Sequence, residues 1–242
     1  MYQPRTYRHW VKSPDLVSFS VAVGETDLYI GARSNLKREA HRLVLKCRRL
    51  LEGYIEQRPV FATSLAPVSV TQNAPEIIKE MAALAEKAGV GPMAAVAGAI
   101  AEFVGSGLAA FSPEVIVENG GDIYLKSLSD RVVGIYAGRS PLSGKIGLEI
   151  KGADTPLGVC TSSGTVGHSM SLGRADAVVV VSRSAALADA VATAAGNLII
   201  RVDDIAKGLE FARGISGVLG VLVIKDDQLG VWGRVKICPL SS

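Results

Sequence analysis

Aromatic side chains are scarce in this chain of 242 residues: five Phe, six Tyr and two Trp, 5% in all. With so few rings, the interior has to be built from Ala, Val, Leu and Ile, with glycines that let backbones approach closely. Cysteine is rare too. Cys47, Cys160 and Cys238 are odd in number and far apart, with neither metal-ligand nor redox spacing. That excludes a disulfide-stapled scaffold and points to free thiols in a reducing, cytoplasmic setting. The chain lacks a strong excess of one charge; its net charge is +3, which neither demands nor excludes a polyanionic partner. The opening Met1-Tyr-Gln-Pro-Arg-Thr-Tyr-Arg-His-Trp has no apolar stretch of the signal-peptide kind. The one window of membrane length, 89–111, is interrupted by Pro92, Glu102 and several glycines. It reads as a buried helix, with no membrane partner implied.

What is present is a chain that is 48% apolar, which excludes disorder and gives enough core for one large domain. No repeat of 20–50 residues and no linker interrupts it. We read residues 1–14 as a basic arm and 15–242 as a single α+β domain. Leu16 to Val23 and Leu28 to Ala32 form a hairpin across a polar turn. Ser34 and Asn35 can cap a helix that runs to about Gln57. Residues 58–74, with Pro59 and Pro67, read as extended or loop. Helices follow from Glu76 to Lys87 and from Pro92 to about Val104. Strands are expected at 114–118, 122–126, 132–137, 146–151 and 159–161. The valine run Ala177 to Ser182 predicts a strand buried on both faces. Helices at 184–197 and 203–214 precede a closing hairpin, 218–224 with 230–237.

Four segments can carry chemistry. Between Ala185 and Ala195 only Asp189 and Thr193 are polar. A helix apolar all round is buried, and a buried carboxylate needs a cation or several donors. Thr193 is four residues on and shares its face. Two oxygen donors suit a hard ion such as Mg2+; equally, Asp189 can accept hydrogen bonds from a neighbouring loop. Thr161, Ser162, Ser163, Gly164 and Thr165 follow a strand and can offer N–H groups and hydroxyls to phosphate, with His168 as a candidate base. Without a following lysine this is no P-loop. Cys160 with His168 is a possible nucleophile and base, or Cys160 is a small buried residue at a strand end. Asn119-Gly120-Gly121-Asp122 is a tight hairpin turn by pattern, or a place where Gly120 and Gly121 admit a flat ligand held by Asn119 or Asp122. Gly98, in mid-helix, admits either a ligand or another helix. The helix with Lys37, Arg38, Arg42, Lys46, Arg48 and Arg49 is a solvated face, because no aromatics interleave with its charges. Nucleic acid is therefore not an expected partner.

In this order the segments resemble the FAD:protein FMN transferase superfamily, the ApbE-like proteins. Ala188-Asp189-Ala190-Val191-Ala192-Thr193 matches the family's Ala-Asp-Ala-x-Ala-Thr helix, which supplies magnesium ligands there. Asn119-Gly120-Gly121-Asp122-Ile123 is similar to the family's Asn-x-Gly-Gly-Asp-Ile stretch beside the flavin nucleotide, one residue shorter. Cys160 to His168 looks like its Thr-Ser-Gly strand end followed by histidine. Gly98-Ala-Ile-Ala-Glu102 aligns loosely with Gly-x-Ile-Ala-Lys, with Glu102 at the lysine. The family's Asp-Pro after histidine is missing. The resemblance covers roughly 90–225 and is greatest to a separate branch, of the UPF/DUF type. It implies an ApbE-like, T-fold-like domain with a mixed sheet packed against alanine-rich helices. It further implies a small-molecule dinucleotide ligand, FAD or FMN, with Mg2+ at Asp189 and Thr193, and activity as an FMN transferase or FAD pyrophosphatase. Two alternatives remain: a non-catalytic flavin or nucleotide binder on the same fold, and an enzyme dependent on Cys160 and His168. A homo-oligomer is permitted and not required.

Overall fold

The computed structural model describes residues 13–165 and 172–240. The basic arm, save Ser13 and Pro14, and His168 lie outside the described residues. Strands β1 (Val17–Val23) and β2 (Thr26–Ala32) form the expected hairpin. Asn35 Oδ1 accepts from Lys37 N (3.1 Å) at the start of α1 (Lys37–Gln57). The proline-rich stretch holds one short turn of helix, α2 (Val60–Thr63), before it extends. Helix α3 (Glu76–Lys87) and the next helical segment, Pro92–Leu108, meet at 102° across Gly89–Gly91. That segment opens as 3-10 helix and continues as α4 (Val96–Leu108). Among the described residues no single helix is long and apolar enough to cross a membrane.

Strands β3 (Val115–Asn119), β4 (Asp122–Lys126), β5 (Arg131–Gly134), β6 (Ile146–Ile150), β7 (Leu157–Ser162) and β8 (Ala177–Ser182) follow. Then come α5 (Ala185–Asn197), α6 (Ile205–Arg213), β9 (Val218–Lys225), β10 (Gln228–Gly233) and β11 (Ile237–Pro239). Eight strands make one sheet in the order β1-β2-β3-β4-β7-β8-β9-β10, and β11-β6-β5 make a second. The α+β class and the alanine-rich helices are as the sequence predicts. The pairings are all antiparallel, so the sheet is not mixed in strand direction. The closing hairpin also differs from expectation. The chain leaves the large sheet after Gly233, at φ +83°, and 237–239 pair with β6 instead.

The large sheet is covered on both faces. Val178 and Val180 of β8 join the core beneath the helices, with Ala99, Ala186, Val191 and Ala195. Ala177, Val179 and Val181 point the other way, onto Val133, Leu148 and Ile150 of the small sheet. Side chains alternate along a strand, so only cover on both faces explains the unbroken valine run. This three-layer stack fixes the helix pair α4–α5 over the β3–β4 and β7 strand ends, where the candidate residues converge.

Candidate functional site

Helix α5 starts with two caps. Ser184 Oγ accepts from Leu187 N (3.3 Å), the usual use of a serine at this position. Glu102, on α4, adds the second: its Oε2 accepts from Ser184 Oγ (2.9 Å), Ala185 N (2.8 Å) and Ala186 N (3.2 Å). Asp189 returns the arrangement, for its Oδ2 accepts from Gly98 N (2.9 Å) in the first turn of α4. Each helix thus supplies a carboxylate to the other's N-terminus, where exposed N–H groups and the helix dipole favour an anion. Glu102, which sequence reading saw only as a lost lysine, has a structural occupation of its own.

Gly98 is what allows this approach. A Cβ there would lie 2.3 Å from Ala185 O and 2.9 Å from Asp189 Cβ. The space beside Gly98 is filled by α5, so the expectation that it admits a ligand gives way to helix–helix packing.

The β3–β4 turn lies against the same helix start. Asn119 and Asp122 pair across Gly120 and Gly121, whose φ values are +68° and +107°. A two-residue turn with both φ positive is the geometry that selects glycine. Nothing lies within 4 Å of a Cβ placed on Gly120, so one side of the turn is open. Asn119 Nδ2 donates to Ala97 O (3.0 Å), and Gly121 N donates to Glu118 Oε1 (2.8 Å). Asp122 Oδ1 accepts from Thr161 N (3.2 Å). Thr161 and Ser162 end β7, and Ser162 Oγ comes within 3.7 Å of a Cβ position on Gly196, one turn beyond the half-buried Thr193. Asp189, Asn119, the Gly-Gly turn, Asp122, Thr161 and Ser162 therefore share one neighbourhood, and Thr193 lies on α5 one turn from Asp189 and one turn from Gly196.

The rest of the loop is tied elsewhere. Gly164 N donates to Ala175 O (2.9 Å), and Thr165 Oγ1 donates to Asp176 Oδ1 (3.0 Å). Ser163 Oγ accepts from Thr165 N (3.1 Å). Gly164 and Thr165 are exposed at the rim. Glu118 and Asp176 are contributions the sequence reading missed. The only signal was an acidic residue inside or beside an apolar run, which marks a buried carboxylate without saying what it holds.

Electrostatically the site is acidic, and its two aspartates are buried. Burial raises the Asp189 carboxyl to about 7, although the Gly98 and Ala97 N–H groups pull it down. Asp122 is raised well above the ordinary carboxylate range, by burial first and then by the charge of Asp189. Two buried carboxylates, one raised by the charge of the other, favour a shared proton or a cation. Among the described residues neither forms an ion pair, and no three His, Cys, Asp or Glu side chains gather as a metal cluster. Two carboxylates and a hydroxyl are nonetheless a fitting set for Mg2+, which keeps several waters and shares its shell with substrate phosphates.

Cys160 does not fit the expectation of a nucleophile. Its side chain is 0% exposed and donates to Ala185 O (3.2 Å). Burial, with the charges of Asp122 and Asp189, pushes its thiol well above the ordinary range, the reverse of what an activated thiolate needs. It is a small core residue under α5. An alkylating reagent is expected to modify Cys238, which is partly exposed, far faster than Cys160. Reaction of Cys160 in the native protein at the rate of a free thiol would contradict its burial.

Solved ApbE proteins share this architecture. The apo form of flavinyl transferase ApbE from Pseudomonas stutzeri superposes with a TM-score of 0.60 at 17% identity, over 93% of this chain and 95% of that one. The ApbE protein from Thermotoga maritima gives 0.63 at 13% identity, over 89% and 96%. At such identities the likeness is one of fold. The AbpE bacteria family model matches residues 8–215. A UPF0280 protein of Methanococcus vannielii is 44% identical over 91% of this chain and 92% of its own length. Another, of Methanopyrus kandleri, is 45% identical over 90% and 91%. The chain belongs to the ApbE-like family, in its UPF0280 branch.

Proposed function

We propose that this protein binds a flavin dinucleotide, FAD, with a magnesium ion held by Asp189 and Thr193, and acts on its pyrophosphate as an FMN transferase or FAD pyrophosphatase. One observation carries the reading: a buried carboxylate pair, Asp189 and Asp122, has no cationic side chain beside it among the described residues, next to a glycine turn with an open side. The ion, when bound, would neutralise charge on the phosphoryl oxygens. The chain's own part is to position. Gly120 and Gly121 leave room for a planar group, and Asn119 holds the turn on Ala97. Thr161 and Ser162 supply hydroxyls for the phosphates, and Ser163, Gly164 and Thr165 border the ligand at the rim, where the Gly164 and Thr165 N–H groups are already engaged. His168 is the proposed base. The buried free thiols Cys47 and Cys160 support a reducing, cytoplasmic setting.

A second reading is favoured by Glu102. The family resemblance places a lysine there, and this chain uses the position to cap α5. Without that cation the protein would hold the flavin and not turn it over. Chromatography after incubation with FAD and Mg2+ separates the two. Release of FMN or AMP supports the enzyme. Tight binding without product supports the binder. Neither binding nor turnover over a range of flavin and adenine dinucleotides removes both.

A further inference from the structure

A concavity lies on the far side of the large sheet, away from the site above. It opens between the two sheets, has a volume of about 370 Å³, and reaches Leu157 at the first position of β7. Thr161 and Ser162, at the other end of that strand, belong to the site above. Its floor is apolar: Leu157, Val181, Leu219 and Val235. Its rim is basic, with four cationic side chains against two acidic ones. The two lysines are already engaged. Lys151 Nζ lies 2.6 Å from Glu149 Oε1, and Lys236 Nζ lies 2.7 Å from Glu149 Oε2. The two arginines are different. Arg183 Nη1 donates to the carbonyl of Asp154, and among the described residues neither Arg183 nor Arg234 forms an ion pair. Both arginines are exposed residues that line the cleft.

We propose that this cleft is a binding site for a small organic oxyanion: an apolar, ring-sized body seated on Leu157, Val181, Leu219 and Val235, with its anionic group between Arg183 and Arg234. Guanidiniums match planar or tetrahedral oxyanions through paired N–H donors, which a lysine cannot do. An apolar floor with a few polar groups at the mouth is the usual form of a small-ligand site, and the volume of this half-open cleft falls at the lower end of the range of such sites. The proposal is independent of the function assigned to Asp189.

The test is a titration of the full chain with phenyl phosphate, followed by 1H–15N spectra. Saturable shifts at the amides of Leu219, Gly233 and Val235 are expected. Affinity should fall about tenfold or more in the Arg183→Ala, Arg234→Ala double variant. Arg234→Ala alone leaves the Asp154 contact intact and should weaken binding in the same direction, which decides the matter if the double variant is misfolded. Inorganic phosphate, which lacks the apolar body, and benzyl alcohol, which lacks the charge, should each bind more weakly than phenyl phosphate. Shifts that do not saturate would overturn the site. So would an affinity unchanged by loss of Arg234, or equal binding of either control.

Discussion

Asp189→Asn is expected to abolish the magnesium response while leaving the fold intact. The amide oxygen can still accept from Gly98 N, so the contact with α4 survives. What disappears is a buried charge. Asp189 ionises near pH 7 in the folded chain against an ordinary value of 3.8, because burial raises it. A raised carboxyl stabilises the fold fully below its unfolded value and loses that contribution as pH rises through the folded one. The metal-free protein should therefore lose stability between about pH 4 and pH 8, and Mg2+ should restore more of it at the upper end, because only the ionised carboxylate binds metal. In Asp189→Asn the metal-free protein at about pH 8 should melt at the same temperature as wild type or higher, with no gain from Mg2+. Asp122 will keep part of the pH slope, since it too is raised. Should FAD be turned over, the variant is expected to be slower by about a hundredfold or more, the usual cost of removing one electrostatic stabiliser. Melting curves with and without Mg2+ check the first part, and FMN release the second.

Glu114→Ala is expected to cost about 3–5 kcal/mol, the range found when one partner of a buried ion pair is removed. Glu114 is 0% exposed. It accepts from Ser127 Oγ (2.5 Å), Leu128 N (2.9 Å) and Arg131 Nη2 (2.8 Å), and pairs with Arg33. Burial alone would raise its carboxyl, and these donors outweigh burial and hold it at about 2. Its contribution is present above the ordinary value of 4.5 and is lost as pH falls through about 2. The network joins the start of β3, the end of β4 and the first residue of β5, so it fastens the small sheet to the large one. Without Glu114, Asp15 remains on Arg131 (2.5 Å), but Ser127, Leu128 and one side of Arg131 lose their acceptor. For a chain of this length the melting temperature should drop by roughly 10 °C. A denaturation midpoint equal to that of wild type would show that the network contributes nothing.

Much of this architecture is written locally. Asn119-Gly120-Gly121-Asp122 specified its turn because only glycine adopts two positive φ values in succession at little cost. Ser184 and the alanine run specified a capped, buried α5. The valines of β8 specified cover on both faces. The unwritten parts depend on contacts distant in sequence. Nothing local shows that 237–239 leave the hairpin for β6, since the residues suit either sheet. Glu102 reads as a lost lysine until α5 is placed against α4, with Ser184 82 residues away. Asp122 and Asp189 each read as a lone acid. The effect of the Asp189 charge on Asp122 arises only when β4 and α5 are brought together, and two buried acids side by side are the strongest physical argument for a cation.

The most direct measurement is calorimetric titration of FAD into wild type and Asp189→Asn, with Mg2+ and with chelator. Saturable binding to wild type that strengthens with Mg2+ is expected, and an Asp189→Asn protein on which Mg2+ has no effect. Equal affinity in all four conditions would place the flavin away from the buried acid pair and contradict the assignment.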